Sequence, residues 1–422
     1  MSSWRWLTLF ALAAACSGSA RPGPSNSTTS QSEIPTESAA GSAGGDTFEQ
    51  AGAPSAGEPN SAEAVALGGA PAVHDAELLE VTAGGDATLE LSPHEFLPPT
   101  EELFTFDRAA ALGERRLALD TTSLALMTFD AHGQAPSMLL EERPLAAVGR
   151  GDELVVLELD AQGGLVAATY DQDLVSRGAE LSLAPAGTGA HALASSTELS
   201  TAVWSQAGEL RGLLFDARGA IGEGFDFGPQ SCGARACTAR VVYDGSRFSV
   251  VWSRVSTSGQ ALVSWGTIDA QGAALAATNV LGAAEGLSVE DAVALPEGRL
   301  AVLLTLGTPA REPLLLFLDS YGRPETDVLV YPGASAAWSL ASDGQSLLMA
   351  ARSSHAQGVI RWLDLQGQAK SDWLVVDDSG SDTEFEPRVA LMADKGSYAA
   401  IVRMTDGSAA TLDLDPADFP AP

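Results

Sequence analysis

The feature that most constrains this chain is a short apolar segment that ends in aspartate and recurs seven times. It reads Met127-Thr128-Phe129-Asp130, Ala168-Thr169-Tyr170-Asp171, Leu213-Leu214-Phe215-Asp216 and Gly266-Thr267-Ile268-Asp269. It continues as Leu316-Phe317-Leu318-Asp319, Arg361-Trp362-Leu363-Asp364 and Ala410-Thr411-Leu412-Asp413. The aspartates lie 41, 45, 53, 50, 45 and 49 residues apart, and five continue as D-x-x-G with Gly133, Gly219, Gly272, Gly322 and Gly367. Aspartate accepts a hydrogen bond from backbone two residues on, and glycine takes a positive φ without a steric penalty. Each segment therefore reads as a strand running into a tight turn. Asp171 and Asp413 lack the glycine and are the weaker members.

A second strand precedes most of these and repeats independently, as Leu154–Leu157, Thr201–Trp204, Ser249–Trp252, Ala301–Leu304, Leu348–Ala351 and Ala399–Val402. Their last residues are 47, 48, 52, 47 and 51 apart. A short apolar piece comes before most of these pairs, and one more extended piece follows the aspartate turn in all units but the seventh. Each unit predicts four short strands in a meander, and four-strand units with a period of 40–50 residues are the pattern of propeller blades. One such sheet has two apolar faces and cannot hide both, whereas a ring of sheets packed face to face can. Trp204 and Trp252, at matching positions of consecutive units, are expected to pack between blades.

The expected fold is all-β, a β-propeller of about seven four-stranded blades over residues 76–415, with a tail at 416–422. The seventh unit runs into Pro416 and Pro420 and lacks its fourth strand. Residues 87–91, or failing that 77–81, are strand-like and are predicted to complete that last blade.

The start of the chain reads as an address. Residues 1–15 carry one cation, Arg5, before an apolar run too short to span a bilayer, which is the secretory signal pattern. Ala13-Ala14-Ala15-Cys16 resembles the lipobox of bacterial lipoproteins, with Ala13 where that family usually carries leucine. The resemblance implies lipidation at Cys16; ordinary cleavage, leaving a secreted protein, is the competing outcome. Residues 16–75 are rich in Ser, Gly, Ala and Pro, too poor in large apolar groups to offset ordering entropy, and read as a disordered tether. The repeating body resembles the broad class of bacterial exported proteins built from tandem β-propeller repeats. The implied location is the cell envelope, at the outer membrane, with the membrane touched only through the lipid anchor.

The remaining cysteines, Cys232 and Cys237, are expected to form a small disulfide loop in an oxidising compartment. With 55 acidic against 23 basic residues the formal charge is −32, which repels phosphate backbones and argues against nucleic acid as a partner. His74, His94, His132, His191 and His355 form no metal-spaced pair, and no G-x-S-x-G elbow or P-loop occurs. No catalytic residue, metal ligand or cofactor is assigned. The one stretch with calcium-like oxygen density is Asp377-Asp378-Ser379-Gly380-Ser381-Asp382-Thr383-Glu384, which equally reads as a solvated acidic loop. The expected function is a monomeric, non-catalytic platform that binds a protein or glycan through loops at one end of the ring. The alternative is a secreted carbohydrate-active hydrolase or lyase using paired carboxylates.

Overall fold

The computed structural model describes residues 108–419 apart from 113–114, 121–124, 130–136, 141–142, 229–230, 233–236, 257–258, 276–277, 284–285, 307–311, 332–333, 354–356, 378–387, 395–396, 404–408, 416 and 418. All of these belong to one compact unit, Asn60–Pro422. They form seven consecutive antiparallel sheets. The first holds β1 (Arg108–Leu112), β2 (Arg115–Asp120), β3 (Ala125–Phe129) and β4 (Ser137–Leu139). The second holds β5 (Arg143–Arg150), β6 (Glu153–Leu159), β7 (Leu165–Tyr170) and β8 (Leu181–Ala184). The third has β9 (Thr188–Ser195), β10 (Ser200–Gln206), β11 (Glu209–Asp216) and β12 (Gly219–Asp226). The fourth has β13 (Thr238–Tyr243), β14 (Phe248–Val255), β15 (Ala261–Ile268) and β16 (Thr278–Ala283). The fifth has β17 (Leu287–Ala294), β18 (Leu300–Leu306), β19 (Glu312–Leu318) and β20 (Leu329–Val330). The sixth has β21 (Ala334–Ser342), β22 (Leu347–Ser353), β23 (Gly358–Leu363) and β24 (Leu374–Asp377). The seventh has β25 (Arg388–Asp394), β26 (Ser397–Arg403) and β27 (Ala409–Leu414), three strands among the described residues. Residues 77–81 and 87–91, predicted to complete it, lie outside the described residues, as do the leader and tether.

The sheets stack because their two faces are both apolar. Along β18, Leu300, Val302 and Leu304 pack with the fourth sheet, while Ala301 and Leu303 pack with the sixth. β19 alternates in the same way, with Leu314, Leu316 and Leu318 on one side and Leu315 and Phe317 on the other. Side chains of a strand alternate between faces, so an unbroken apolar run fits a strand covered on both sides. Each seam from the first sheet to the seventh has its own buried cluster. Fully burying a leucine or valine is worth about 1.5–3 kcal/mol, so the seams are the main source of stability. Trp204 is buried in the seam between the second and third sheets and Trp252 in the next.

The first strands of the sheets form the inner ring. β1 packs on β5, β5 on β9, β9 on β13, β13 on β17, β17 on β21, β21 on β25, and β25 returns to β1. Across that last join, Arg116 of β2 donates to the Asp413 carboxylate of β27. The architecture is a closed β-propeller.

The aspartate turns join the third and fourth strands. Asp171, Asp269, Asp319 and Asp364 share one geometry, in which Oδ1 accepts the backbone N–H groups two and four residues on. The residue three places on donates its N–H back to the aspartate carbonyl. Asp216 instead closes a tighter hairpin, accepting from Arg218 and Gly219. Asp130 lies outside the described residues. Two expectations change. The Asp171 turn is complete without glycine, because Leu174 takes φ +60° and is buried in the seam with the first sheet. Asp413 is not a turn residue: it lies within β27, and Asp415, next after the Leu414 that pairs with Tyr398, accepts the Ala417 N–H.

Candidate functional site

The meander gives the ring two unlike ends. At the turn end, the first strand hands over to the second and the third to the fourth. At the connector end, the second hands over to the third, and each sheet passes to the next.

The turn end is occupied by structural bonds. Arg115, Arg247 and Arg299 stand at the start of the second strand of the first, fourth and fifth sheets. Each donates to a carbonyl of the following sheet, namely Gln172, Ser320 and Leu365, which come one residue after Asp171, Asp319 and Asp364. The same arginines hold carboxylates: Arg115 pairs with Asp173 at 3.0 Å, Arg247 with the buried side chain of Asp244 at 3.1 Å, and Arg299 with Glu325 at 2.8 Å. Hydrogen bonds outweigh burial at Asp244. Burial pushes its carboxyl up, but donors from Ser246 and Arg247 leave it below the usual range. Ser246 and Arg247 thus hold a charged turn that a neutral residue would not match.

At the connector end the innermost strands are irregular. β5, β9, β17 and β21 each carry a β-bulge at the same level, at Leu145, Ala190–His191, Glu290 and Trp338. A bulge leaves a residue out of the ladder and re-aims its neighbours, which is why bulges gather beside functional sites. In β9 the backbone distortion is visible at Ala190, with φ +50°.

Polar side chains at this level reach from one inner strand to the next. The Val289 N–H donates to Thr238 Oγ1 at 2.8 Å, the Leu340 N–H to Asp291 Oδ2 at 2.8 Å, and the Leu391 N–H to Ser339 Oγ at 3.1 Å. Arg240 Nε donates to the Glu290 carbonyl at 2.8 Å. These bonds satisfy N–H groups that the inner edge of a sheet leaves without a ladder partner. The Glu290 carboxylate accepts from Ser288 Oγ at 2.5 Å and Thr305 Oγ1 at 2.6 Å.

His191 lies beside this network on β9, its Nε2 2.8 Å from Thr188 Oγ1. Burial, and then the charge of Arg143, lower its pKa to about 4, so the ring is neutral at physiological pH. Arg143 is the first residue of β5 and is exposed. The arrangement offers a neutral imidazole, a guanidinium and hydroxyls on the rim of the axis. Among the described residues, the acidic residues of the inner strands are Glu290, Asp291 and, at the far end of β25, Asp394. Glu290 and Asp291 both accept hydrogen bonds within the fold.

A connector at this end carries the cysteines. Cys232 and Cys237 are joined by a disulfide between β12 and β13, with their Cα atoms 5.4 Å apart. Next to it, the Ser231 carbonyl accepts from Trp252 Nε1 at 2.8 Å, and its hydroxyl accepts the Leu210 N–H at 2.6 Å. A disulfide is the bond an oxidising, extracytoplasmic compartment favours. Asp377 ends β24, and 378–384, the rest of the calcium-like stretch, lie outside the described residues, as do Cys16, His74, His94, His132 and His355. Among the described residues no three His, Cys, Asp or Glu side chains are grouped to hold a metal ion. No described helix is long and apolar enough to cross a membrane.

Sequence reasoning placed the turns but missed the arginine staples and the Arg143–His191 pair. The staples have a readable signal, an arginine at the threshold of the second strand in Arg115-Arg116-Leu117, Arg247-Phe248 and Arg299-Leu300.

A scan against protein-family models finds no match. A search of curated proteins finds none either. Among solved structures, the chain is similar to hydrazine synthase of Kuenenia stuttgartiensis, with TM-score 0.50 and 12% identity over 76% of this chain and 99% of that one. It is also similar to a virginiamycin B lyase from Staphylococcus aureus, with TM-score 0.49 and 9% identity over 76% of this chain and 98% of that one. A prolyl endopeptidase structure aligns with TM-score 0.46 and 12% identity over 74% of this chain and 50% of its own. At such identities the likeness is one of β-propeller architecture alone.

Proposed function

We propose that this chain is an exported protein, lipid-anchored through Cys16 or secreted, whose propeller binds a protein or glycan at the connector end without catalysing a reaction. The observation that carries this reading is the asymmetry of the two ends. Arginines and aspartates of the turn end staple neighbouring sheets and close turns, whereas the bulged inner strands, with Arg143 and His191, meet at the other. Recognition residues tend to sit on loops held by a rigid scaffold. The disulfide supports export, and the acidic surface disfavours nucleic acid.

The test is a steric block. Ala186 lies exposed in the connector before β9, and Ala217 lies exposed in the turn after β11. Ala186→Cys and Ala217→Cys proteins, each coupled to a polyethylene-glycol maleimide, are assayed for capture of cell-wall glycan fragments and of envelope protein extract. Capture lost only in the Ala186→Cys conjugate supports the reading. Capture lost only in the Ala217→Cys conjugate, or no capture by the unmodified protein from either preparation, overturns it.

A further inference from the structure

We propose that Arg143, with His191 on the neighbouring inner strand, holds the carboxylate of a singly charged ligand at the connector end of the axis; this rests on the binding-platform reading above. The first support is electrostatic. The chain has more than two acidic residues for each basic one, yet Arg143, like the exposed turn-end Arg218 and Arg323, makes no ion pair among the described residues, and of these three only Arg143 stands on an inner strand. At the turn end, Arg115, Arg116, Arg247 and Arg299 each hold an acidic side chain. Arg143 is exposed and makes no hydrogen bond or ion pair among the described residues.

The second support is position. Arg143 opens an innermost strand, two residues before the bulge at Leu145, and the sheet it faces contributes His191 from the bulge of β9. β5 packs on β9 along the inner ring, and the charge of Arg143 adds to burial in keeping the His191 imidazole neutral. Thr188 occupies Nε2. Nδ1 of His191 is then left to share a hydrogen bond with whatever Arg143 binds.

The third support is chemical. A guanidinium presents parallel N–H groups that fit one carboxylate in a bidentate pair, shorter and stronger than a neutral hydrogen bond. The field of a chain with formal charge −32 repels polyanions, so a ligand bearing one negative charge is favoured over an acidic polymer. A sugar acid and a peptide C-terminus share this chemistry.

The full exported chain, labelled at histidine with carbon-13 and nitrogen-15, is titrated with glucuronate, N-acetyl-alanine and inorganic phosphate while the His191 ring signals are followed. A saturable shift is expected with glucuronate, N-acetyl-alanine or both, and which one responds identifies the source of the carboxylate. Arg143→Gln should weaken that Kd by about tenfold or more, as loss of a charge-assisted pair requires. Arg218→Gln, at an exposed turn-end arginine, should leave it unchanged. Arg143→Gln should also raise the His191 pKa, a sign that the variant is folded and the pair was close. No saturable shift with either carboxylate overturns the proposal. An equal Kd in Arg143→Gln, or an equal response to phosphate, also overturns it. The two readings fail separately: a lost block by the Ala186→Cys conjugate with retained carboxylate binding sinks only the platform, and the reverse sinks only the carboxylate site.

Discussion

Replacing Gly322 with alanine should cost more than the backbone alone demands, because the glycine of the fifth-sheet turn is a packing surface as well as a hinge. Its φ is +74°, and an ideal Cβ would stand 2.1 Å from Trp265 Cε3 and 2.3 Å from Cδ2. Trp265 belongs to β15 of the fourth sheet and is 7% exposed, so it has little room to retreat. Left-handed backbone costs an L-residue about 1–2 kcal/mol, and overpacking a filled core adds about 1–3 kcal/mol. Gly245→Ala is the control: φ there is +95°, but nothing lies within 4 Å of the added atom. Urea unfolding of the full chain, followed by tryptophan fluorescence, should show Gly322→Ala destabilised by about 1–3 kcal/mol beyond Gly245→Ala. Trp265→Leu added to Gly322→Ala should recover part of the excess, a coupling of about 1 kcal/mol or more, as touching residues show. Arg247 lies over the Trp265 ring at 5.9 Å, so the clash should loosen the staple to Ser320 as well. Equal costs for the two alanine variants, or strictly additive costs in the double variant, would refute packing of turn glycine on the neighbouring sheet.

Three further outcomes are expected. The Asp244 carboxyl sits below its ordinary value of about 3.9 when folded, so it contributes stability above that value and loses it as pH falls through the folded pKa. The stability gap between wild type and Asp244→Asn in urea should therefore be larger at pH 7 than at pH 3, and a constant gap would deny the charge any role. Thiol titration of denatured, unreduced protein should find Cys232 and Cys237 blocked, and replacing both with serine should cost about 2 kcal/mol by chain entropy; free thiols would discard the bridge. Mass spectrometry of the membrane fraction should find an acylated Cys16, whereas an unmodified chain beginning near Arg21 would remove the anchor.

The repeat was legible because it rests on local chemistry: an apolar strand, an aspartate acceptor and, in most units, a glycine. What failed was register. Thr411-Leu412-Asp413-Leu414-Asp415 offers two aspartates two residues apart, and a strand of period two presents both to the same face. The choice is made by pairing of Leu414 with Tyr398, which no local pattern carries. Leu174 shows the converse, since its burial against the first sheet offsets the strain that glycine would have avoided. Bulges are silent for a similar reason. One extra residue in Ala-rich segments such as Gly189-Ala190-His191-Ala192 leaves composition and hydropathy unchanged, and only the partner strand reveals it. Arg143 and His191 lie on different sheets, and nothing short of the packed inner ring brings them together.

The division of labour between the ends follows from the meander itself. A staple such as Arg299 to the Leu365 carbonyl works only if the turn after Asp364 has a set length, because the carbonyl must fall opposite the arginine of the previous sheet. An insertion in such a turn would forfeit the staple and two or more backbone hydrogen bonds at once. A connector between sheets can be held too, as the Ser231 bonds to Trp252 and Leu210 show. It spans three residues from 185 to 187 but eleven from 227 to 237, and each doubling of loop length adds only about 0.6 kcal/mol in closure entropy. Length varies at the turn end as well, from two residues at 217–218 to ten at 171–180, so what sets the connector end apart is the bulged inner strands and the exposed Arg143 on one of them. A ligand site at either end has to leave such bonds in place, the arginine staples at the turn end and the Thr238–Val289, Asp291–Leu340 and Ser339–Leu391 bonds at the connector end.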